Sequence, residues 1–207
     1  MFSAYAPTVA AGADRPPLQR EAIVEAARGL IVADGLEALS LRRLAGSLGV
    51  TAPALYAHVR DKEDLLRAVA EAEFDQLVAR FDAVDEDDPL ARIRAHGRAY
   101  VEHARERPQL FRVMFLFPPD LSVADAPVER LPGATKAFMA AAGAVEEAVA
   151  SGALVADDPL LVALTLWSGV HGVAGVLQLG FELPPELEDA MIGEITERIL
   201  GGYRPSA

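Results

Sequence analysis

The stretch Gly35-Leu-Glu-Ala-Leu-Ser-Leu-Arg-Arg-Leu-Ala-Gly-Ser-Leu-Gly-Val-Thr-Ala-Pro-Ala-Leu-Tyr-Ala-His-Val-Arg-Asp-Lys-Glu-Asp-Leu-Leu66 reads as two short helices joined by a tight turn, with a third following directly. Leu41, Leu44, Ala45 and Leu48 recur at i, i+3, i+4 and i+7, the apolar face of a short helix. Ser40 stands where a side-chain oxygen accepts from the orphan amides of the first turn, and Gly49 where a chain leaves a helix at positive φ. Thr51 is expected to cap the next helix, with Pro53 in its first turn, where a missing amide costs least. Leu55 and Val59 then pack inward and leave Pro53, Ala54, Tyr56 and His58 toward the outside. Asp61 caps the third helix, with Glu63 and Asp64 in its positive first turn. Upstream, Leu18, Ala22, Ala26 and Leu30 step by four along Leu18–Asp34 and predict one more wall. Spacing alone admits two readings. One is a helical hairpin inside an all-α protein; the other is a small head that holds an exposed helix at the angle of a DNA major groove.

The residue content separates them. Leu55-Tyr-Ala-His-Val-Arg-Asp-Lys-Glu-Asp-Leu-Leu66, preceded by Leu48-Gly-Val-Thr51, closely resembles the DNA-binding head of the tetracycline-repressor (TetR) family, from about Arg20 to Leu66. The resemblance implies that Arg42, Pro53, Tyr56, His58 and Lys62 fall on positions used to touch DNA. Arg42 would reach a base edge or a phosphate, Tyr56 and His58 phosphates, and Pro53 a thymine methyl; Lys62 would fix register on the backbone. Thr51 and Ala54 complete the candidate set. One departure stands out: Ala52, Ala54 and Ala57 leave the reading helix poor in hydrogen-bonding side chains. Specificity would then rest on Arg42, apolar contacts, water and DNA shape.

The chain of 207 residues has room for one helical domain plus a head, and its apolar steps are of three and four throughout, so the fold class expected is all-α. It has no cysteine, which suits a reducing cytoplasm, and residues 1–17 lack the basic-then-apolar order of a signal peptide and read as a loose arm. The net charge of −12 opposes binding to a polyanion, but it is unevenly placed. Residues 1–60 hold six basic against five acidic side chains, and the remainder thirteen against twenty-six. A near-neutral head, residues 18–62, is thus set apart from an acidic body, residues 63–207.

In the body, Lys62–Phe81 reads as a long helix with Leu66, Val69, Ala70, Phe74, Leu77 and Phe81 inward, joined to the head without a flexible linker. Asp85-Glu-Asp-Asp88 reads as a solvated loop before Pro89. Helices follow over Pro89–Glu106 and Pro108–Phe117. The second carries Leu110, Phe111, Met114, Phe115 and Phe117, too many large side chains for one stripe. They are either enclosed core or the lining of a cavity. The span from Pro118 to Pro132 reads as an irregular entry gate, and the alanine-rich helix Gly133–Ala150 is expected to turn Phe138 and Met139 inward. Pro159–Phe181 has no charged residue and the length of a membrane span. Its flanks, Asp157, Asp158 and Glu182, offer no basic anchors, and Gly169, Gly172 and Gly175 suit close helix packing instead, so no membrane is expected.

A second resemblance lies here. Leu166-Trp-Ser-Gly-Val-His-Gly-Val173 is similar to the Trp-x-x-x-His-Gly (WHG) signature of one TetR C-terminal ligand-binding subfamily, and Glu146-Glu-Ala-Val-Ala-Ser-Gly-Ala-Leu154 fits the same pattern. It implies a homodimer built on Pro159–Leu179 and Pro185–Leu200, the latter carrying Leu187, Met191, Ile195 and Ile199 as a packing stripe. The candidate ligand-binding set is Tyr100, His103, Phe111, Met114, Phe115, Phe138, Trp167 and His171. His171 is either a satisfied core histidine or a pocket hydrogen-bonder beside Trp167. His96 and His103, seven apart, lack a Cys or an i+4 ligand to complete a metal site, so no metal or cofactor is expected. Ser168, three residues from His171, has no orienting carboxylate, so catalysis is not expected. The resulting expectation is a homodimeric cytoplasmic transcription regulator, most often a repressor in this family, that binds double-stranded operator DNA and leaves it on binding a small, largely apolar effector. The alternative is a helical small-molecule or partner-binding module that has lost DNA binding.

Overall fold

The computed structural model describes residues 17–116 and 132–205, and those residues form helices α1 (Arg20–Asp34), α2 (Leu41–Leu48), α3 (Ala52–Tyr56), α4 (Lys62–Asp82), α5 (Pro89–Glu106), α6 (Pro108–Met114), α7 (Pro132–Ala150), α8 (Pro159–Leu177) and α9 (Pro185–Gly201). No strand occurs among the described residues, so the fold class is all-α. Almost the whole of the expected N-terminal arm, Phe117 and nearly all of the expected gate lie outside the described residues.

Helix boundaries follow local chemistry. Asp88 accepts from the Ala91 amide at 2.8 Å and Asp158 from the Leu160 amide at 3.0 Å, and each is followed by a proline in the first turn. Ser40 accepts from the Arg43 amide at 3.2 Å, and Asp61 from the Asp64 amide at 2.8 Å. Gly49 leaves α2 in the left-handed region, φ 63°, which a side chain would resist. Thr51 stands at the N-cap of α3 but its side chain makes no capping bond, contrary to expectation. Its hydroxyl remains exposed at the front of the turn.

Three apolar clusters organise the chain. The head cluster gathers Ile23, Ala27 and Ile31 of α1, Leu44 and Ala45 of α2, Leu55 of α3, Val59, and Leu65, Leu66 and Val69 of α4. It also takes in Leu110 and Val113 of α6. The second cluster joins Phe74, Leu77 and Phe81 of α4 to Tyr100 of α5, Phe111 and Met114 of α6, and Val170, Val173 and Ala174 of α8. The third binds the far ends of α7, α8 and α9 through Val145, Ala148, Leu154, Val162, Leu166 and Leu200.

Several expected faces are shifted. In α1 the buried stripe is Ile23, Ala27 and Ile31, not Leu18, Ala22, Ala26 and Leu30; both ladders step by four, and the one with bulkier branched side chains takes the core. Leu18 lies before the helix begins. Met139 is 54 % exposed, a helical step of 100° away from the inward Phe138. In α9 the deepest residues are Ile192, Thr196 and Leu200, one step after the expected stripe, while Leu187 faces solvent. The α4 stripe falls where expected.

Candidate functional site

Two sites come into view, one on each body of the molecule. On the head, α2 and α3 present Arg42, Thr51, Pro53, Tyr56 and, at the start of α4, Lys62 to solvent, with Ala54 and His58 half-buried beside them. Tyr56 is 57 % exposed although it is a large aromatic side chain, while Leu55 and Val59 are sealed beneath it. Among the described residues no ion pair engages Arg42 or Lys62, in contrast to the neighbouring Arg43, which binds Asp34 at 2.6 Å.

Asp64 sets the angle of this surface. Its carboxylate receives Arg20 at two points, 3.0 and 3.2 Å, and the Arg60 amide at 2.9 Å. Arg20 also donates to the carbonyl of His58. The hydrogen bond from Arg20 holds the Asp64 carboxyl below its ordinary range, against the opposing effect of burial. The start of α1, the turn after α3 and the start of α4 are thus fixed to one another by a single carboxylate. Sequence reading missed this pair, because forty-four residues separate its members and neither carries a periodic signal.

In the body, α4, α5, α6, α7, α8 and α9 line a partly open cavity of about 310 Å³. This volume sits at the small end of the range for ligand sites. Of the expected ligand set, Tyr100, Met114, Phe115, Phe138 and Trp167 line it. Phe111 and His171 stand one ring behind the wall: Phe111 packs edge-on to Tyr100 at 5.6 Å, and His171 lies 5.3 Å from Trp167 and 4.7 Å from Phe115. The Tyr100 hydroxyl is 2.7 Å from His171 Nδ1. Burial pushes the Tyr100 phenol well above its ordinary value, so it stays protonated, and burial lowers the affinity of His171 for a proton. Tyr100 therefore donates and a neutral His171 accepts.

His103, expected in the ligand-binding set, lies elsewhere. It does not reach the cavity but is fully buried in an ion cluster with Glu73, 3.4 Å from Nε2 to Oε2. Neither of those atoms completes a hydrogen bond among the described residues, so the two groups are close without good alignment. Glu73 is held instead by Arg28 of α1, at 2.7 Å through Nε and 2.5 Å through Nη2, and by Arg107 at 3.5 Å. Burial works to raise the Glu73 carboxyl, but the attraction of His103 and Arg28 overcomes it and holds the group below its ordinary value. This cluster, like Asp64, ties α1 of the head to the body. His96, seven residues earlier, does line the cavity, as do Phe74, Phe81 and Thr196, none of which the expected ligand set included. No group of three metal-ligating side chains occurs among the described residues.

The α8 face divides in two. Gly169 lies against α9, where a Cβ would come within 2.8 Å of Ile199 and 2.9 Å of Ile195. Gly172 and Gly175 face open space beside exposed Leu161, Leu164 and Val176. The Ser168 and Thr165 hydroxyls on that side donate to the carbonyls of Leu164 and Leu161, each at 2.7 Å, so they are satisfied within the helix. α8 is long and apolar enough to cross a membrane by composition, yet one face is packed into the protein core and the other carries these small residues.

Comparison with known proteins finds matches to both parts of the chain. Residues 23–69 match the family "Bacterial regulatory proteins, tetR family", and residues 93–199 match "Tetracyclin repressor-like, C-terminal domain". An uncharacterised HTH-type transcriptional regulator of Mycobacterium tuberculosis is 29% identical over 189 residues, covering 89% of this chain and 81% of that protein. The class C tetracycline repressor protein of Escherichia coli is 53% identical over 55 residues, 27% of this chain and 25% of that one. Among solved structures, a Rhodococcus protein of unknown function superimposes with a TM-score of 0.76 at 27% identity, covering 90% of this chain and 95% of that one. The helix-turn-helix head, the cavity-bearing helical body and a body match that spans more than half of the residues together place this chain in the TetR family of transcriptional regulators.

Proposed function

We propose that the protein acts as a homodimeric cytoplasmic repressor whose grip on operator DNA is loosened when a small, apolar, uncharged effector occupies the body cavity. The observation that carries this reading is the position of α6. Leu110 and Val113 belong to the head core, while Phe111, Met114 and Phe115 belong to the ring cluster around the cavity. A seven-residue helix with a side in each core has little freedom to shift on one side alone. An occupant pressing on Met114 and Phe115 therefore bears on the floor of the DNA-facing head. Coupling of about 1–3 kcal/mol, ordinary for such linkage, changes affinity roughly 5–150-fold in both directions.

On the DNA side, Thr51, Tyr56, His58 and Lys62 supply phosphate contacts, Pro53 and Ala54 apolar contact with a base edge, and Arg42 a base or phosphate contact. The exposed α8 face of Leu161, Leu164, Gly172, Gly175 and Val176 supports pairing with a second copy: it is apolar and its hydroxyls are already satisfied. Two heads of such a pair would enter successive major grooves about one helical turn, roughly 34–36 Å, apart. Trp167, His171 and Gly172 support assignment of the body to the WHG subfamily, with Trp167 on the cavity wall and His171 bonded behind it.

The test is a titration of the full-length protein with DNA from upstream of its own gene, at several salt concentrations. Specific binding should fall steeply with salt, and Tyr56→Ala or Lys62→Ala should weaken it on all sequences and reduce the salt slope by about one. Arg42→Ala should also relax base preference. Binding no tighter than to random DNA would overturn the regulator reading in favour of a helical binding module. Sedimentation of Leu161→Glu tests the pairing face, because Leu161 is exposed and stands away from the cavity: the wild type should run as a dimer and the variant as a monomer.

A further inference from the structure

The lining of the body cavity is unevenly covered. The residues that α4 and α9 contribute, Phe74, Leu77, Phe81 and Thr196, are all buried. Of the described lining residues two are exposed, Thr135 of α7 and Leu164 of α8, and half-buried Phe138 and Trp167 lie on the same two helices. Leu164 is 41% exposed although it also borders the cavity. The open edge is therefore the one between α7 and α8, with Leu164 on its rim.

Leu164 belongs to a second surface as well. Leu161, Leu164, Ser168, Gly172 and Gly175 are all exposed and follow one another at steps of three and four, a single face of α8. This is the face proposed above to pair with a second copy, and its chemistry suits that occupant. Residues 61–207 hold thirteen basic against twenty-six acidic side chains, so two bodies repel each other over most of their surface. Pro159–Phe181 has no charged side chain, and a two-fold axis through it sets uncharged surface against itself. At Gly172 and Gly175 an added Cβ would meet nothing within 4 Å, so a second helix has room to come close.

Resting on the homodimer and the effector cavity proposed above, we infer that the ligand site is incomplete in one chain and that the partner copy, seated on the α8 face, covers the rim at Leu164 and closes the mouth. Covering the rim adds to the apolar area that a guest removes from water, so the dimer holds the guest more tightly than a single chain does. By linkage an occupied cavity tightens the dimer in return, by the same factor for each site filled. The effector then acts on an intact pair, and release from DNA proceeds by moving the two heads rather than by parting the two chains.

Fluorescence titration of the full-length protein without DNA, using the uncharged apolar probe N-phenyl-1-naphthylamine, tests this. Leu161→Glu and Gly175→Glu both break the pairing face without lining the cavity, and Gly175 lies eleven residues, about 16 Å, along the helix from Leu164. Both variants should bind the probe at least about fivefold more weakly than the wild-type dimer, with melting temperatures checked to show that each is folded. Ala141→Leu, which fills the cavity, should abolish binding in the dimer. A second readout needs no variant: in sedimentation of the wild type, saturating probe should strengthen dimerisation by the square of the affinity ratio, since two sites fill. A dimeric wild type whose probe affinity both monomeric variants retain, or a dimerisation constant that the probe leaves unchanged or weakens, would overturn this inference and leave the proposed function standing. A wild type that stays monomeric, or probe binding that is absent or survives Ala141→Leu, would overturn the homodimer or the effector cavity, and the inference with it.

Discussion

The two cores of this molecule are built from different materials. The head core consists of Ile, Val, Leu and Ala side chains, with no aromatic ring among its buried members. The body core assembles Phe74, Phe81, Tyr100, Phe111, Phe115 and Trp167, and it borders about 310 Å³ of space. Aliphatic side chains of a few carbons interdigitate to high density and specify one arrangement. Large flat rings meeting edge to face leave gaps between them, and gaps lined by rings accept a guest. Under the function proposed above, rigidity falls where register on a duplex would be needed and room where a small molecule would be sensed.

The largest effect should come from cutting the polar join between the two cores. Glu73→Ala leaves Arg28 and Arg107 without their carboxylate and should cost about 3–5 kcal/mol in urea unfolding. The pH dependence has a definite sign. A carboxyl held low in the fold contributes fully above its ordinary value of 4.5 and loses that contribution as pH falls through the folded value. Glu73→Gln should accordingly flatten the loss of stability below that pH relative to wild type.

Next come truncations that set one core against the other. Leu44→Ala, at a fully buried head position, should cost about 2–5 kcal/mol, and Phe138→Ala, beside a void already present, distinctly less than the about 3–5 expected in a closed core. Equal costs would break the comparison. Enlargement should reverse the order. Ala45→Leu in the closed head should destabilise by about 1–3 kcal/mol, whereas Ala141→Leu grows into the cavity and should be near neutral while blocking the ligand. The smallest effect separates the two sides of α8. Gly169→Ala meets Ile195 and Ile199 and should lower the melting temperature by a few degrees, while Gly172→Ala should leave the fold untouched and be read only in the dimerisation constant.

Much of this architecture was legible because the chain is well punctuated. Asp88-Pro89 and Asp158-Pro159 mark helix starts, and Ser40 and Gly49 bracket α2, so element bounds fall within a few residues of the periodic reading. Faces were harder. In α1 two four-step ladders lie side by side, and only the volume of Ile23 and Ile31 against that of Ala22 and Ala26 decides between them. The crowding of Leu110, Phe111, Met114 and Phe115 left core and cavity lining both open, and the structure divides them, with Met114 and Phe115 on the cavity wall, Phe111 behind it and Leu110 in the head core; the roles of two histidines were not foreseen. His96 and His103 share a helix face, yet seven residues of α-helix set them about 10 Å apart. At that distance one meets Phe81 and empty space and the other meets Glu73. Spacing along a chain gives direction around an axis; it does not say which neighbour waits at each height. Arg20 and Asp64 were invisible for the same reason.

The double membership of α6 bears on how such a protein diversifies. Walls supplied by Phe138, Ala141 and Val145 of α7 or by Ala163 and Leu166 of α8 line the cavity without belonging to the head core. Under the proposed function, exchanges there would retune what is recognised and leave the reading head alone. Exchanges at Met114 or Phe115 would alter the listener and the message together, so under that function a lineage exploring new chemical signals would have α7 and α8 as its open ground and α6 as its fixed pivot.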